Sequence, residues 1–174
     1  MNSVLCFSGG IASGKTTLSA AVAHRLGIQR ASFGGFVRKR AMERRIPESR
    51  EELQALGETL IAEMGWEKFC AAVLAEARWA PGLSLALDGI RHTFAFETIK
   101  LLVAPTPATF VFVDVEFDVR QARADSTKTT DLARADMHST EHDVHSGALR
   151  SMANLVLDGT RDLDVLVDEV LRIL

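Results

Sequence analysis

The glycine-rich segment at residues 9–16 has the residue types and spacing that bind phosphate. It reads Gly-Gly-Ile-Ala-Ser-Gly-Lys-Thr and fits the pattern G-x-x-x-x-G-K-[ST]. An apolar run ends just before it and a helix-forming stretch follows, which is the strand–loop–helix setting that the pattern requires. Glycine lets backbone N–H groups come close to phosphate oxygens, and the N-terminus of the following helix adds positive partial charge. The segment therefore predicts a binding site for a nucleoside triphosphate.

Two side chains of this segment have specific expected roles. Lys15 is expected to act as a catalytic cation that bridges the β- and γ-phosphates, and the hydroxyl of Thr16 is expected to bind Mg²⁺. The other predicted nucleotide contacts lie in the loop and the first helical turn: Gly10, Ile11, Ala12, Ser13, Gly14 and Thr17. ATP and Mg²⁺ are thus the cosubstrate and the metal ion that the sequence predicts.

A local excess of positive charge follows the second apolar run of the chain. Residues 30–50 contain seven arginine or lysine residues and two acidic ones, whereas the whole chain has a net charge of −3. A solvated helix face would explain much of this patch. Arg38 is the residue of the patch for which we favour a binding role, because it follows a strand-like run and Gly34-Gly35, where a helix is expected to begin.

The order of these segments resembles that of nucleoside monophosphate kinases of the P-loop type, in particular cytidylate and adenylate kinases. Residues 31–38 (Ala-Ser-Phe-Gly-Gly-Phe-Val-Arg) resemble their segment for the acceptor monophosphate, and residues 36–45 resemble the Phe-Arg-x-x-Ala-x-Glu-Arg helix of cytidylate kinases. The resemblance implies that Arg38 is a catalytic residue that binds the acceptor phosphate. We also expect a helical acceptor-binding insertion over residues 36–80.

Residues 88–91 read Asp-Gly-Ile-Arg and are similar to a segment of adenylate-type kinases and of relatives of dephospho-CoA kinases. The resemblance implies that Asp88 helps to hold Mg²⁺ with its water shell, and that Arg91 binds the acceptor phosphate. The alternative interpretation is that Asp88 only forms a turn at the end of a strand. Asp114, at the end of the fourth apolar run, is the rival carboxylate for the metal ion.

The segment after the fourth apolar run resembles the helix and lid of the same kinases, in which arginines close over the triphosphate. The resemblance implies a lid over about residues 120–138, in which Arg120 and Arg123 stabilise the charge on the transferred phosphoryl group. Lys128 and Arg134 are alternative cations for this role. Each of these residues can instead lie on a surface helix.

The segment Asp158-Gly159-Thr160 follows the last apolar run, where similar kinases have a loop that packs near adenine. The resemblance implies that Gly159 and Thr160 contact the base of the nucleotide. The contact is expected to involve mainly backbone atoms.

Two histidines, His138 and His142, are four residues apart and would lie on the same side of a helix. Zinc binding is one interpretation of this spacing, but no cysteine and no HExxH pattern accompanies it. We therefore predict a polar, solvated helix start here, with Ser139 or Thr140 as the N-cap before Glu141.

Short apolar runs alternate with helical segments along the chain, which predicts an α/β fold. Parallel strands joined by right-handed crossovers form a sheet with helices on both faces. We therefore expect the three-layer α/β/α architecture of a P-loop NTPase, with a five-stranded parallel sheet. Among the helices, the one from Thr16 to Leu26 should end at Gly27, and Ser49 should cap another. The predicted strands are 4–7, 31–33, 83–87, 110–115 and 155–157.

Length and composition predict one globular domain over residues 1–174 in the cytoplasm, as a monomer or homodimer. The chain is 47% apolar, yet it has no apolar run long enough to span a membrane and no basic leader. Its slight negative charge makes nucleic acid an improbable partner. Cys6 and Cys70 lack the spacing of metal ligands and are expected to be buried free thiols of a reducing compartment.

These observations favour an ATP-dependent kinase that phosphorylates a phosphorylated small molecule, with a nucleoside or deoxynucleoside monophosphate as the favoured acceptor. Gly35 stands where adenylate-type kinases often have an acid, and the Arg-Gly-Gly-Gly run of shikimate kinases is missing, so the acceptor stays open. The alternatives are a kinase for a dephospho-CoA-like metabolite or a modified nucleic-acid base, and a regulatory P-loop NTPase. A GTPase is disfavoured because no Asn-Lys-x-Asp motif follows the fourth run.

Overall fold

In the computed structural model, which describes residues 2–126 and 132–174, strands and helices alternate along the chain. The strands are β1 (Val4–Gly9), β2 (Gln29–Ser32), β3 (Leu85–Asp88), β4 (Ala108–Asp114) and β5 (Leu155–Asp158). The α-helices are α1 (Lys15–Leu26), α2 (Phe33–Arg44), α3 (Arg50–Glu76), α4 (Thr93–Val103), α5 (Phe117–Ser126), α6 (Leu132–Asp136), α7 (His142–His145), α8 (Ala148–Met152) and α9 (Leu163–Arg172). A 3-10 helix (Ser139–Glu141) lies between α6 and α7.

The five strands form one parallel sheet in the order β2-β3-β1-β4-β5. β1 lies at the centre of the sheet between β3 and β4, and all of its residues are buried. A strand that is covered on both faces appears in the sequence as a continuous apolar run, as β1 does. The predicted α/β fold with a five-stranded parallel sheet is confirmed.

The side chains of the sheet divide between two cores, because successive residues of a strand point to opposite faces. On one face, Val4 and Cys6 of β1 pack with residues of α2, α3 and α4. On the other face, Leu5 and Phe7 pack with residues of α1 and α9. The sheet therefore lies between two helical layers.

Each predicted strand differs from the observed one at one or both ends, and local hydrogen bonds explain two of these errors. β2 ends at Ser32 and not at Phe33, since the Ser32 hydroxyl accepts a hydrogen bond from the backbone N–H of Gly35 at 2.8 Å and caps α2. β3 begins two residues later than predicted, since the backbone N–H of Leu83 donates to Ala80 within a turn. The other three strands differ from the predicted ranges by one or two residues at one or both ends.

The helix boundaries predicted at Gly27 and Ser49 are confirmed. Gly27 ends α1 with a φ of 63°, a left-handed conformation that glycine adopts without strain. The Ser49 hydroxyl accepts a hydrogen bond from the backbone N–H of Glu52 and caps α3. α3 bends at Gly65, where φ is 75°. Within residues 2–126 and 132–174, no helix combines the length and the apolar character needed to cross a membrane.

Cys6 and Cys70 are both free and buried in the core between the sheet and α2–α4, as predicted. Burial raises the pKa of the Cys70 thiol to about 12 and raises the pKa of Cys6 as well. Both thiols therefore stay protonated and contribute to packing.

A pair of substitutions in α4 tests the packing of this helix on the sheet. Ile99 is fully buried, and Ile99→Ala is expected to lower the free energy of unfolding by about 2–5 kcal/mol because it leaves a cavity. Leu101 in the same helix is 79% exposed. Leu101→Ala should change the free energy of unfolding by less than about 0.5 kcal/mol. Urea unfolding measures both effects, and equal losses would contradict the described orientation of α4.

Candidate active site

The glycine-rich loop joins the end of β1 to the start of α1. Gly9 and Gly14 have φ of 145° and 91°, and Ala12 has φ of 60°. A side chain does not fit at Gly9, since a Cβ there would lie 2.4 Å from the carbonyl oxygen of Val113. α1 begins at Lys15 with no side-chain cap and no acidic residue in its first turn. The first N–H groups of this helix are therefore available to an anion.

The Lys15 side chain is buried at this loop, and its ammonium group donates a hydrogen bond to the carbonyl oxygen of Gly10 at 2.9 Å. Burial and the positive charge of Arg91 together lower the pKa of Lys15 to about 7, although Asp88 acts in the opposite direction. The environment of Lys15 therefore lacks the negative charge that a bound polyphosphate would supply.

Asp88 ends β3 beside the end of β1, where it lies opposite Phe7 in the pairing of the two strands. Its side chain is buried, and Oδ2 accepts a hydrogen bond from Nη2 of Arg30 at 2.7 Å. Arg30 also donates from Nε to Oγ of Ser19 in α1 at 2.9 Å. Arg30 therefore connects the end of β3 to the helix that begins at the loop.

The oxygen atoms at this edge of the sheet fit the magnesium ion that the sequence predicts. Oδ1 of Asp88 is buried and accepts no hydrogen bond from the described residues, so it can accept one from a water of a metal ion. Thr16 is exposed in the first turn of α1. Hydroxyl and carboxylate oxygens are ligands that Mg²⁺ prefers. Asp114, the rival carboxylate, is half-exposed at the end of β4 and accepts a hydrogen bond from Nε of Arg150 at 2.9 Å.

A cavity of about 540 Å³ lies between α2, α3 and the turn that follows β3. Part of its wall is aromatic and consists of Phe33, Trp66 and Phe69, with the Phe69 ring in contact with the other two. Three arginines also line the cavity: Arg38, Arg50 and Arg91. The structure thus brings the two arginines predicted for the acceptor into one cavity and adds a third.

These arginines have few negative partners. No carboxylate of the described residues pairs with Arg38 or Arg50. Burial and the charge of Arg38 lower the pKa of Arg50, while burial and the charge of Arg50 lower the pKa of Arg91 to about 10. Cations that lower one another's pKa form a site that an anion would stabilise.

The segment between α6 and α7 is not the solvated helix start that the sequence predicted. Glu141 is fully buried, and its carboxylate forms an ion pair with Arg91. The N-cap of the 3-10 helix is His138 rather than Ser139 or Thr140, and Nδ1 of its ring accepts a hydrogen bond from the backbone N–H of Thr140. A fully buried carboxylate requires a cationic partner, and Arg91 supplies it, so Glu141 is packed inside instead of facing water.

The two predicted lid arginines, Arg120 and Arg123 of α5, both reach the glycine-rich loop. Nη1 of Arg120 donates to the carbonyl oxygen of Ile11 at 3.2 Å, and Nη2 pairs with Asp136 at 2.8 Å. Nη2 of Arg123 donates to the carbonyl oxygen of Gly159 at 2.9 Å, and Nη1 contacts carbonyl oxygens of the loop. Their action on a transferred phosphoryl group stays a prediction.

Gly159 and Thr160, the predicted base contacts, lie in the turn after β5. A Cβ at Gly159 would lie 2.6 Å from Cγ1 of Val113 and 2.8 Å from the carbonyl oxygen of Ser13, so glycine allows this turn to pack on the loop. Thr160 is exposed, and its hydroxyl donates to Oδ1 of Asp158 at 2.6 Å. Contact with a base stays a prediction for both residues.

Among the described residues, the other cations that the sequence singled out do not line the cavity. Lys128 lies outside the described residues, and Arg134 is exposed and pairs with Glu51 at 2.8 Å. Three members of the basic patch pair with acidic residues at the surface, in agreement with a solvated helix face: Lys39, Arg40 and Arg44.

Three residues of the site were not singled out by the sequence. Arg30 and Arg50 were visible only as members of the basic patch, in which spacing does not distinguish inward-facing from solvated arginines. Glu141 lies in a polar segment that gives no sign of burial. Only the packing of distant elements reveals their positions: Arg30 and Glu141 form ion pairs, and Arg50 lines the cavity.

Comparison with solved structures identifies the fold, although no family model and no curated protein matches the sequence. Shikimate kinase from Acinetobacter baumannii, in complex with shikimate, is 16% identical, with coverage of 99% of this chain and 92% of that one and a TM-score of 0.62. Shikimate kinase from Bacteroides thetaiotaomicron is 16% identical, with coverage of 99% and 97% and a TM-score of 0.59. A sugar kinase from Janibacter sp. HTCC2649 is 20% identical, with coverage of 99% and 93% and a TM-score of 0.53.

At these identities the likeness shows that the chain has the P-loop kinase fold. The matches do not single out the cytidylate, adenylate or dephospho-CoA kinases that the sequence motifs resemble.

The lowered pKa of Lys15 predicts how stability depends on pH. The folded protein releases this proton near pH 7, whereas a lysine with its ordinary pKa of 10.5 keeps it in the unfolded chain. Above pH 7 the unfolded state therefore binds more protons, and this group should raise the free energy of unfolding by at most about 1.4 kcal/mol per pH unit. Urea unfolding of the wild type and Lys15→Met without nucleotide, between pH 7 and 9, measures the difference. A difference that stays constant with pH would contradict the lowered pKa.

The close packing of Gly159 predicts that an added methyl group is not tolerated. Gly159→Ala should lower the free energy of unfolding by about 1–3 kcal/mol because of overpacking against the loop. Gly57→Ala in α3 is the control, since its Cβ would lie at an ordinary 3.9 Å from Cγ2 of Val37. This control should leave stability unchanged or raise it by up to about 1 kcal/mol. Equal effects of the two substitutions in thermal unfolding would argue against the close contact at Gly159.

Proposed function

We propose that this protein is an ATP-dependent kinase that transfers the γ-phosphoryl group of Mg-ATP to a phosphorylated small molecule, with a nucleoside or deoxynucleoside monophosphate as the favoured acceptor. The observation that carries the proposal is the convergence of Arg38, Arg50 and Arg91 on one cavity. The charge of Arg91 also lowers the pKa of Lys15 at the glycine-rich loop. The two candidate anion sites are therefore within electrostatic reach of each other, as transfer between two phosphates requires.

On the donor side, the chain supplies several groups for a triphosphate. The N–H groups at the start of α1 and the ammonium group of Lys15 would bind its oxygens. Thr16 and Asp88 would hold Mg²⁺, which offsets phosphate charge when it is bound. Arg120 and Arg123 lie against the loop and would stabilise the charge of the transferred group.

On the acceptor side, the cavity has the chemistry of a site for a phosphorylated ring compound. Guanidinium groups bind phosphate oxygens in pairs, and Arg38 and Arg50 have no carboxylate partner among the described residues. The wall of Phe33, Trp66 and Phe69 would provide apolar surface for a base. The volume of about 540 Å³ is typical of small-ligand sites.

The proposed reaction depends on positioning and electrostatics. An oxygen of the acceptor phosphate attacks the γ-phosphorus, and the bond to the β-phosphate oxygen of ATP breaks to release ADP. The arginines of the cavity would hold the acceptor, while Lys15 would hold the donor. The transfer requires no strong base, because the attacking oxygen belongs to a phosphate that is already ionised.

A carboxylate acceptor is the second candidate, because guanidinium groups also bind carboxylates. Several of the structures with this fold are shikimate kinases, and one of these contains shikimate. The present chain lacks the Arg-Gly-Gly-Gly run of those kinases. Three arginines in one cavity also favour a dianion such as a phosphomonoester over a single carboxylate.

The first experiment measures ADP release from Mg-ATP with a panel of acceptors. The panel contains nucleoside and deoxynucleoside monophosphates, dephospho-CoA, shikimate and simple sugars, and Lys15→Ala is the blank. Turnover that depends on a monophosphate supports the proposal. Turnover with shikimate or an unphosphorylated sugar would show that the proposed class of acceptor is wrong. ATP hydrolysis without any acceptor would favour a regulatory NTPase.

Substitution of Arg38 tests the assignment of the cavity to the acceptor. Arg38→Ala is expected to lower kcat/KM for the acceptor by about 10- to 100-fold, because a hydrogen bond to a charged group contributes roughly 1.5–3 kcal/mol. The KM for ATP should change by less than about twofold. Lys39→Ala is the matched control, since Lys39 is the next residue of α2 and pairs with Glu76 at the surface. Initial rates with each substrate varied in turn measure these effects, and equal losses for both substrates would refute the assignment.

A further inference from the structure

We infer that Glu141 is a positioning residue of the acceptor site, which holds the guanidinium of Arg91 at the wall of the cavity in an orientation that receives the acceptor anion. This inference rests on the proposed function, because the acceptor is what Arg91 would bind. It assigns a role in that reaction to the segment between α6 and α7.

Glu141 lies behind Arg91 and outside the lining of the cavity. Its side chain is fully buried, whereas Arg91 lines the cavity and keeps 26% of its side chain exposed. Nη1 of Arg91 contacts the Glu141 carboxylate. Because a guanidinium has five N–H donors, others remain available to an anion in the cavity. Glu141 and an acceptor can therefore bind different sides of the same arginine.

The two residues depend on each other for charge balance. Oε2 of Glu141 is buried and accepts no hydrogen bond from the described residues. The nearby cation Arg50 adds to the effect of burial in lowering the pKa of Arg91. Asp88 and Asp136 act on Arg91 in the opposite direction, but among the described residues only Glu141 forms an ion pair with it. Without Glu141, no carboxylate would contact the guanidinium of Arg91. Loss of the carboxylate is therefore expected to release Arg91 from its position.

The backbone that carries Glu141 is fixed to the helices that frame the cavity. Nε2 of Gln54 in α3 donates to Oγ1 of Thr140 at 3.3 Å. The backbone N–H of Thr93 in α4 donates to Oδ2 of Asp143 at 2.9 Å. The chain is thus held on both sides of Glu141, at Thr140 and at Asp143, and a positioning residue requires such support. An arginine that is oriented before the ligand arrives loses less conformational entropy on binding.

A double-mutant cycle in acceptor kinetics tests this inference. Glu141→Ala is expected to raise the KM for the acceptor by about tenfold, while the KM for ATP changes by less than about twofold. In the background of Arg91→Met, Glu141→Ala should raise the acceptor KM no further, because its effect passes through Arg91. Glu141→Gln retains an oxygen acceptor for Arg91 and should give an acceptor KM between those of the wild type and Glu141→Ala.

The cycle distinguishes positioning from a contribution to folding. Thermal unfolding of every variant establishes that the measured protein is folded, and the cycle is run with Glu141→Gln if Glu141→Ala does not fold. An acceptor KM that rises equally with and without Arg91 would overturn the inference. An unchanged acceptor KM in the folded variants would overturn it as well.

Nuclear magnetic resonance of arginine side chains separates this inference from the proposed function. In the ligand-free protein, the ion pair should slow rotation of the Arg91 guanidinium and give resolved Nη signals, which Arg91→Met identifies. These signals should merge in Glu141→Ala, and inorganic phosphate should shift the Nε signal of Arg91 in the wild type only. If these signals behave as expected but no acceptor of the panel gives turnover, the proposed acceptor is refuted and the role of Glu141 is supported. Merged Nη signals in the wild type would overturn that role even in an active kinase.

Discussion

The structure depends on holding several cationic side chains, largely out of water, at one edge of a parallel sheet. Burial and the charge of a neighbouring cation lower the pKa of each of three residues: Lys15, Arg50 and Arg91. Three carboxylates limit the repulsion, and each is held by one arginine: Asp88 by Arg30, Asp136 by Arg120 and Glu141 by Arg91. These ion pairs neutralise part of the positive charge around the site. The positive charge that remains is available to anionic ligands.

The sheet topology explains how so much charge collects in a chain of slightly negative net charge. In a parallel sheet, the carboxyl ends of the strands meet at one edge. Because β1 lies between β3 and β4, the glycine-rich loop has the turn after Asp88 on one side and the start of α5 on the other. The helices α2 and α3 then enclose a cavity against that turn. Donor and acceptor sites with a shared electrostatic environment are a direct result of this strand order.

The fold could be predicted from the sequence because its signals are local. Continuous apolar runs indicate strands that are covered on both faces, and residues such as Gly27 and Ser49 mark helix ends through their own backbone or side-chain geometry. The boundary errors at Ser32 and Leu83 have the opposite origin. There, a capping hydrogen bond ends β2 and a turn delays the start of β3, although the residues have apolar neighbours.

The sequence by itself determined the glycine-rich loop and its helix, since residues 9–16 specify that backbone without help from distant parts of the chain. It also identified Arg38 and Arg91 separately, Arg38 in the helix after the second strand-like run and Arg91 in the segment after the third. Only the tertiary structure decided that both arginines line one cavity with Arg50, and that Glu141 is a buried counter-ion. The physical reason is that electrostatic pairing acts through space. Whether a charged residue is solvated or buried depends on elements that are distant in sequence, and no local pattern records their approach.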